Sequence, residues 1–165
     1  ANLSNANLEW ASLKEANLRR ANLSNANMRN TYLADTNLSG ADLSGADLGS
    51  QLDGQYSDSY FPDTNFSGAN LSGANLRYAS ISNADFSKAN LSGADLRLHD
   101  SKKLNFTEAN LSKANLSGVD LSGANLSGAD LSGANLTDTI LTNANLDEAI
   151  LCNTKMPWGI DDSGC

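Results

Sequence analysis

The residue types that carry out catalysis are either scarce in this chain or part of a repeat. His99 is the one histidine among 165 residues. A Ser-His-Asp triad needs a histidine held by a carboxylate, but the many Ser and Asp residues recur at fixed repeat positions. No second His or Cys lies near His99 to complete a metal site, and no glycine pattern matches a phosphate-binding loop. We therefore expect no enzymatic activity, no metal and no cofactor.

The two cysteines, Cys152 and Cys165, are both near the end of the chain. A disulfide between them would close a loop of about 14 residues, contribute roughly 3 kcal/mol in the chain-entropy model and indicate an oxidising compartment such as a periplasm or a thylakoid lumen. The alternative is two free thiols in a cytoplasmic protein. Pro157 and Gly159 interrupt the repeat here, so residues 154–165 are predicted to form a short C-terminal cap.

A five-residue pattern organises the rest of the chain. Residues 114–137 read ANLSG VDLSG ANLSG ADLSG ANLT, with a large apolar residue at every fifth position and a small one two residues before it. Residues five apart do not share one face of an α-helix, and on a continuous strand they alternate between its two faces. The chain must therefore turn between repeats, so that every leucine enters one interior. This predicts a solenoid.

The repeats fall into two blocks within what we interpret as one domain, residues 1–165. The first block, 1–50, holds ten pentapeptides, and the second, 54–153, holds twenty in a different phase. The segment 49–63 separates the two phases. It is predicted to be either a small bulge on one corner of the solenoid or a projecting loop with a binding role.

The bulge interpretation assigns three extra residues to this segment and leaves Tyr56 and Phe61 in the core. The loop interpretation makes the segment a candidate interaction site, because irregular loops on rigid scaffolds often carry function. The residues of this candidate loop are Gln51, Leu52, Asp53, Tyr56 and Tyr60.

The spacing of the phenylalanines predicts the size of one coil. Phe66, Phe86 and Phe106 recur at every fourth pentapeptide, so four pentapeptides per coil would stack them as one aromatic column in the core. One later repeat has His99 and Ser101 where Ala and Leu are expected. This irregularity predicts a local bulge with His99 partly exposed, and the functional alternative is a ligand or metal position.

The residues after each leucine predict tight turns. In Leu-Ser-Gly-Ala, glycine takes the third place of a four-residue turn, where a type II turn needs positive φ. Other residues stand there at Asn5, Arg20, Asn25 and Lys113. At those corners the sequence predicts a different turn.

The charge excludes several partners. The net charge is −8, which opposes binding to nucleic acid or to anionic membranes. No apolar run approaches the ~20 residues of a membrane-spanning helix. Residues 31–63 carry aspartates and no base, so negative charge is concentrated in part of the chain.

The motif A-(D/N)-L-x-x, repeated as ANLSG, ADLSG and ANLSK, resembles the pentapeptide repeat family. The resemblance implies an all-β fold, a right-handed quadrilateral β-helix with Leu or Phe and Ala inside. At four pentapeptides per coil of 20 residues, the thirty repeats of the two blocks make about 7.5 coils. The family is abundant in cyanobacteria, and some members enter the periplasm or the thylakoid lumen. The Cys-containing tail resembles the C-terminal cap of lumenal members.

Two functions follow from this resemblance. The first is a non-catalytic structural scaffold that binds another protein, with no nucleic-acid or membrane partner and with the capacity for end-to-end self-association. The alternative is a DNA mimic, because some family members inhibit DNA gyrase through acidic faces and confer quinolone resistance. Bases interrupt the middle of this chain, and its short tail differs from the helical dimerisation module of gyrase-binding members.

Overall fold

The repeats wind into a β-helix solenoid in a computed structural model that describes residues 1–50, 59–98 and 103–165. Parallel backbone bridges connect neighbouring coils, such as the bridge from Asn2 to Asn22 and the bridge from Asn90 to Asn110. Each bridged residue lies between the small residue and the large apolar residue of its repeat. The predicted interior and exterior positions of the repeat are therefore confirmed.

In the described residues the bridges form four columns on the outside of the solenoid, which we name by their first members. The Asn2 column contains Asn2, Asn22, Asp42, Asn70, Asn90, Asn110, Asp130 and Ile150. The Asn7 column contains Asn7, Asn27, Asp47, Asn75, Asp95, Asn115, Asn135 and Lys155. The Ser12 column contains Ser12, Tyr32, Tyr60 and Ser80, with a further bridge between Asp120 and Ile140. The Asn17 column contains Asn17, Asn37, Asn65, Asp85, Asn105, Asn125 and Asn145.

Local hydrogen bonds explain why this sequence turns every five residues. The Asn22 side-chain oxygen accepts the backbone N–H of Ser24 at 3.0 Å, a bond that favours a turn over a continuous strand. The N–H of Ala26 then donates to the carbonyl of Leu23 at 3.0 Å and closes the turn. The N–H of Leu23 donates to the next coil, at the carbonyl of Asp42 (2.7 Å).

The predicted change of turn at corners without glycine is wrong. Arg20 has φ 54° and Lys113 has φ 59°, close to the 64° of Gly40 and the 70° of Gly123. A residue other than glycine pays a conformational penalty at positive φ. Here bonds between coils hold the corner, because the Arg20 N–H donates to Ser39 (3.0 Å) and the Lys113 N–H donates to Ser132 (2.9 Å).

The core is a continuous column of Leu, Phe and Ala side chains, from which most polar groups are excluded. Apart from the partly buried Leu98, the described Leu and Phe side chains from Leu23 to Leu136 are at most 1 % exposed. Thr36 and Thr139 replace Ala in the core, and each hydroxyl donates to a backbone carbonyl at 2.8 Å. Leucines at the ends of the described solenoid, such as Leu3 and Leu146, are only partly buried.

The bridges correct the predicted length of the irregular segment. Tyr32 pairs with Tyr60, and the amide of Asn70 donates to Asp42 across the same coil, which has an offset of 28 residues instead of the usual 20. The prediction of three extra residues is wrong, because an offset of 28 instead of 20 means that this coil contains eight extra residues. Tyr56, which the sequence assigns to the core, lies outside the described residues.

The chain ends in a small antiparallel sheet after the last repeat. Strand β1 (Thr154–Met156) pairs with β2 (Gly159–Asp161), and Thr154 faces Asp161 in the register. Lys155 also continues the Asn7 column, because its N–H donates to Ala134 at 2.9 Å. In the part of the chain that the structure describes, no helix has the length and apolar character needed to span a membrane.

Candidate interaction surface

A stacked pair of tyrosines interrupts the polar columns on the outside of the solenoid. The rings of Tyr32 and Tyr60 lie 5.4 Å apart and within 5° of parallel. They occupy outward positions that hold Asn or Asp in most other repeats, and their neighbours in the Ser12 column are Ser12 and Ser80. Tyr60 is 41 % exposed, so the solenoid presents an aromatic surface to solvent.

Buried polar contacts fix the chain where the insertion begins and where it ends. The Ser59 hydroxyl donates to the carbonyl of Gly49 at 2.9 Å and accepts the N–H of Asn30 at 2.9 Å. Ser59 is fully buried and Asn30 is 5 % exposed. Tyr60 therefore follows directly after a rigid anchor, which restricts the position of its ring.

Two arginines and a tyrosine form a second cluster, next to the Asn7 column. Arg97 donates to both carboxylate oxygens of Asp95, and the Nε of Arg77 lies 3.8 Å from the same carboxylate. Arg77 also donates to the hydroxyl of Tyr78 at 2.8 Å. Partial burial raises the pKa of Asp95, but the bonds and charge of Arg97, with the charge of Arg77, outweigh burial and leave that pKa below its ordinary value.

The Asn and Asp columns are largely occupied by contacts with each other. Amide nitrogens donate along the Asn2 column from Asn70 to Asp42 and from Asn90 to Asn70, both at 3.1 Å. Hydrogen bonds from Ser44, supported by Asn70, lower the pKa of Asp42 against the effect of burial. These polar atoms are already satisfied, so the columns are weaker candidates for a binding surface than the tyrosine pair.

The phenylalanines lie in the core behind the Asn17 column. The Phe66 and Phe86 rings stack at 4.7 Å, and the Phe86 and Phe106 rings stack at 5.3 Å. All three side chains are inaccessible to solvent. They stabilise the solenoid and cannot contact a partner.

Six residues that the sequence singled out lie outside the described residues, and so does the segment that would distinguish a bulge from a projecting loop. They are Gln51, Leu52, Asp53, Tyr56, His99 and Ser101. Among the described residues, no group of His, Cys, Asp and Glu side chains could hold a metal ion.

A comparison with protein-family models supplies the observation that decides the family. The model of pentapeptide repeats matches residues 1–40, 11–49, 59–98, 105–143 and 120–156. The chain belongs to the pentapeptide repeat family. Proteins of this family are generally non-enzymatic structural or interaction proteins.

Solved structures of other pentapeptide repeat proteins are similar to this chain. HetL of the cyanobacterium Nostoc sp. strain PCC 7120, involved in heterocyst differentiation regulation, is 36 % identical over 96 % of this chain and 65 % of HetL, with a TM-score of 0.35. This chain therefore spans less than two thirds of the length of HetL. A pentapeptide repeat protein of the Arabidopsis thaliana thylakoid lumen is 29 % identical over 72 % of this chain and 66 % of that protein, with a TM-score of 0.29.

A third solved structure is a trypsin-treated variant of QnrB1, a plasmid-mediated fluoroquinolone resistance protein. It is 24 % identical over 84 % of this chain and 71 % of the QnrB1 chain, with a TM-score of 0.46. A search of curated proteins finds no match.

Sequence reasoning did not find the tyrosine pair in this pentapeptide repeat protein. Tyr32 and Tyr60 occupy equivalent positions in their repeats, but the insertion makes their separation along the chain longer than that of other bridged residues. Because of this longer separation, the usual spacing between coils does not identify the two tyrosines as neighbours. The signal that could have found it was the tyrosine itself, a large aromatic residue at an outward position that holds Asn, Asp or Ser in most other repeats.

A disulfide joins Cys152 to Cys165 in the C-terminal cap, with 4.7 Å between their Cα atoms. Two further contacts hold the cap to the solenoid and to itself. The buried hydroxyl of Thr154 donates to the carbonyl of Leu131 at 2.8 Å, and the N–H of Asn153 donates to the carboxylate of Asp162 at 3.0 Å. The disulfide therefore closes a segment that is already docked on the last repeats.

Replacing both cysteines by serine is expected to loosen this cap. Serine is the residue at the position of Cys152 in earlier coils, for example Ser132, so the solenoid itself should tolerate the change. The chain-entropy model predicts that the free energy of unfolding falls by roughly 3 kcal/mol. Hydrogen exchange at the Lys155 N–H should increase, and the reduced wild-type protein should behave like the double variant. Two free thiols in the unreduced protein would contradict the assignment.

Proposed function

We propose that this pentapeptide repeat protein is a non-catalytic scaffold that binds another protein through the surface around Tyr32 and Tyr60. The observation that supports this proposal is a stacked pair of tyrosines, Tyr60 exposed and Tyr32 partly exposed, among the mostly polar columns of the solenoid. Aromatic residues are enriched in protein interfaces, and residues that bind partners are often found at loops on rigid scaffolds. Tyr60 combines both features, because it follows the insertion directly.

The rigidity of this surface favours recognition of a partner. The Tyr60 N–H donates to Thr31 at 3.1 Å, and the N–H of Leu33 donates to Tyr60 at 2.9 Å. A side chain with few rotatable bonds on a fixed backbone loses little conformational entropy on binding. The proposed interface therefore has its contact residues positioned before the partner arrives.

Tyr60→Ser is expected to weaken partner binding while preserving the fold. Serine occupies the equivalent positions Ser12 and Ser80, so the solenoid accommodates it. The immobilised wild-type protein should retain a specific protein from an extract of its source cells. Binding of that protein, once purified, should weaken at least about tenfold in the variant, as expected for an aromatic hot spot.

The matched control is Ile140→Ser, which removes another exposed apolar side chain from the Ser12 column. This control should bind the partner like the wild type. Equal loss of binding in both variants, or unchanged binding in Tyr60→Ser, would overturn the assignment of this surface.

The DNA-mimic alternative has less support from the arrangement of the acidic residues. In the described part of the Asn2 column, the carboxylates are Asp42 and Asp130, and Asn residues lie between them. In the Asn7 column, arginines contact both Asp47 and Asp95. A supercoiling assay separates the two functions, because a gyrase-binding mimic would inhibit DNA gyrase at micromolar concentration, whereas the scaffold would not.

We also propose that the protein works in an oxidising compartment, either a periplasm or a thylakoid lumen. The disulfide between Cys152 and Cys165 supports this location, because such bonds persist in oxidising environments.

Three features of the sequence analysis stay predictions. They are the right-handed quadrilateral shape of the coil, the total of about 7.5 coils, and end-to-end self-association.

A further inference from the structure

One corner of the solenoid carries an open groove, beside the Asn17 column. Its volume is about 320 Å³, and its lining residues are Arg19, Arg20, Ser39, Gly40 and Ser67. The aliphatic stem of Arg20 lies over Gly40, whose added Cβ would be 3.5 Å from the Arg20 Cγ. Small residues in the second and third coils thus line the groove together with the two adjacent arginines.

These two arginines have no carboxylate partner within 4.0 Å among the described residues. Some other bases at the solenoid corners do have one, since Lys14 lies 3.3 Å from Glu15 and Lys88 lies 3.6 Å from Glu108. Lys113, at a similar corner, has none within 4.0 Å among the described residues, but it stands there without a second base beside it. The groove therefore concentrates two uncompensated positive charges on a protein with a net charge of −8.

The remaining polar groups of the groove can supply further hydrogen-bond donors. The backbone is already paired, because the Gly40 N–H donates to the carbonyl of Ser67 at 2.9 Å and the Arg20 N–H donates to that of Ser39 at 3.0 Å. The Ser67 hydroxyl donates to the Asn65 side chain at 2.7 Å. The two guanidinium groups and the Ser39 hydroxyl are left to bind a ligand, and all three can donate.

We propose that this groove binds a phosphate-type dianion, either as inorganic phosphate or as the terminal group of a phosphate monoester. Two arginines balance a charge near −2, and their planar donor groups match phosphate oxygens in pairs. A single carboxylate has two oxygens and one charge, which one guanidinium group satisfies. Phosphate has the additional oxygens that the second arginine and Ser39 require.

Titration calorimetry and NMR of the arginine side chains, with the whole protein, test this site. Inorganic phosphate, glycerol 3-phosphate and a short glutamate peptide serve as the probes. We expect saturable phosphate binding with a Kd of about 1 mM or tighter, with signal changes confined to Arg19 and Arg20. The tighter of the two phosphate probes identifies the source of the group.

Two variants distinguish phosphate binding at a specific site from a general effect of positive charge. Arg20→Gln should weaken binding at least about tenfold, since charge-assisted bonds contribute more than neutral ones. Lys113→Gln is the matched control, because the Lys113 stem also lies over a glycine, with its Cγ 3.6 Å from the Cβ position of Gly133. It removes one charge at an equivalent corner and should leave the affinity within about twofold of the wild-type value. Thermal melting checks that both variants fold.

The pH dependence provides a second readout of the same site. Binding of glycerol 3-phosphate should weaken as the pH falls from about 7.5 to about 5.5, because a phosphate monoester loses its second charge near pH 6 while arginine stays protonated. The proposal is overturned if phosphate does not saturate the protein by about 10 mM, if Lys113→Gln matches Arg20→Gln, or if the glutamate peptide binds more tightly than both phosphates.

Discussion

Leu126→Asp is expected to unfold the solenoid or to destabilise it by more than about 4 kcal/mol. Leu126 is inaccessible to solvent, and its coil lies between the coils of Phe106 and Leu146. A carboxylate at this position would lie in an apolar interior without a cation, and burial of an unpaired charge is among the most costly substitutions. Circular dichroism and chemical denaturation measure the loss.

Asn125→Asp is the control, because it introduces the same charge one residue away on the outside. The Asn125 side-chain oxygen accepts the Ser127 N–H at 3.2 Å, and Asp85 holds the equivalent position two coils earlier, where it accepts the Ser87 N–H at 2.9 Å. The free energy of unfolding of this variant should fall by about 1 kcal/mol or less, because the change removes one hydrogen bond donated by the Asn125 amide. If Leu126→Asp melts like Asn125→Asp, the interior assignment is wrong.

Phe86→Ala is expected to cost about 3–5 kcal/mol, the usual range for an aromatic side chain removed from a core. Phe86 is the middle ring of the column and stacks on both Phe66 and Phe106. Its truncation opens a cavity and removes both stacking contacts, each of which adds about 0.5–1.5 kcal/mol beyond buried area. The melting temperature should fall by about 10 °C.

Phe86→Leu separates the effect of volume from the effect of stacking. Leucine occupies the equivalent position behind the neighbouring Asn2 column, for example at Leu91 and Leu111, so the backbone accepts it. We expect a loss of less than about 2 kcal/mol, because the cavity is much smaller. Equal destabilisation by alanine and leucine would show that ring stacking outweighs packing volume.

Much of the fold was predictable because nearly every pentapeptide has its apolar residues and its turn residues at the same positions. The Ala-Asn-Leu pattern assigned Leu116 and Leu121 to the interior and Asn115 to the surface, and the structure has them there. The turn geometry was only partly predictable. Glycine explained positive φ at Gly123, but hydrogen bonds between coils, which the sequence does not show, impose the same φ on Lys113.

The candidate sites were less predictable, because they depend on which coils lie side by side. The sequence pointed to Tyr60 through the irregular segment 49–63, but Tyr32 gave no sign of being its partner. Arg19 and Arg20 looked like ordinary outward residues of one repeat. Their groove exists because the next two coils place Ser39, Gly40 and Ser67 beneath them.

The sequence by itself determined the family, the solenoid and the inward-facing residues, because these follow from contacts within one repeat and from apolar burial. The tertiary structure alone decided the stacking of Tyr32 on Tyr60, the longer offset across the insertion and the convergence of Arg19 and Arg20 on one groove. Each of these depends on the register between coils, and the insertion changes the offset between bridged residues from 20 to 28.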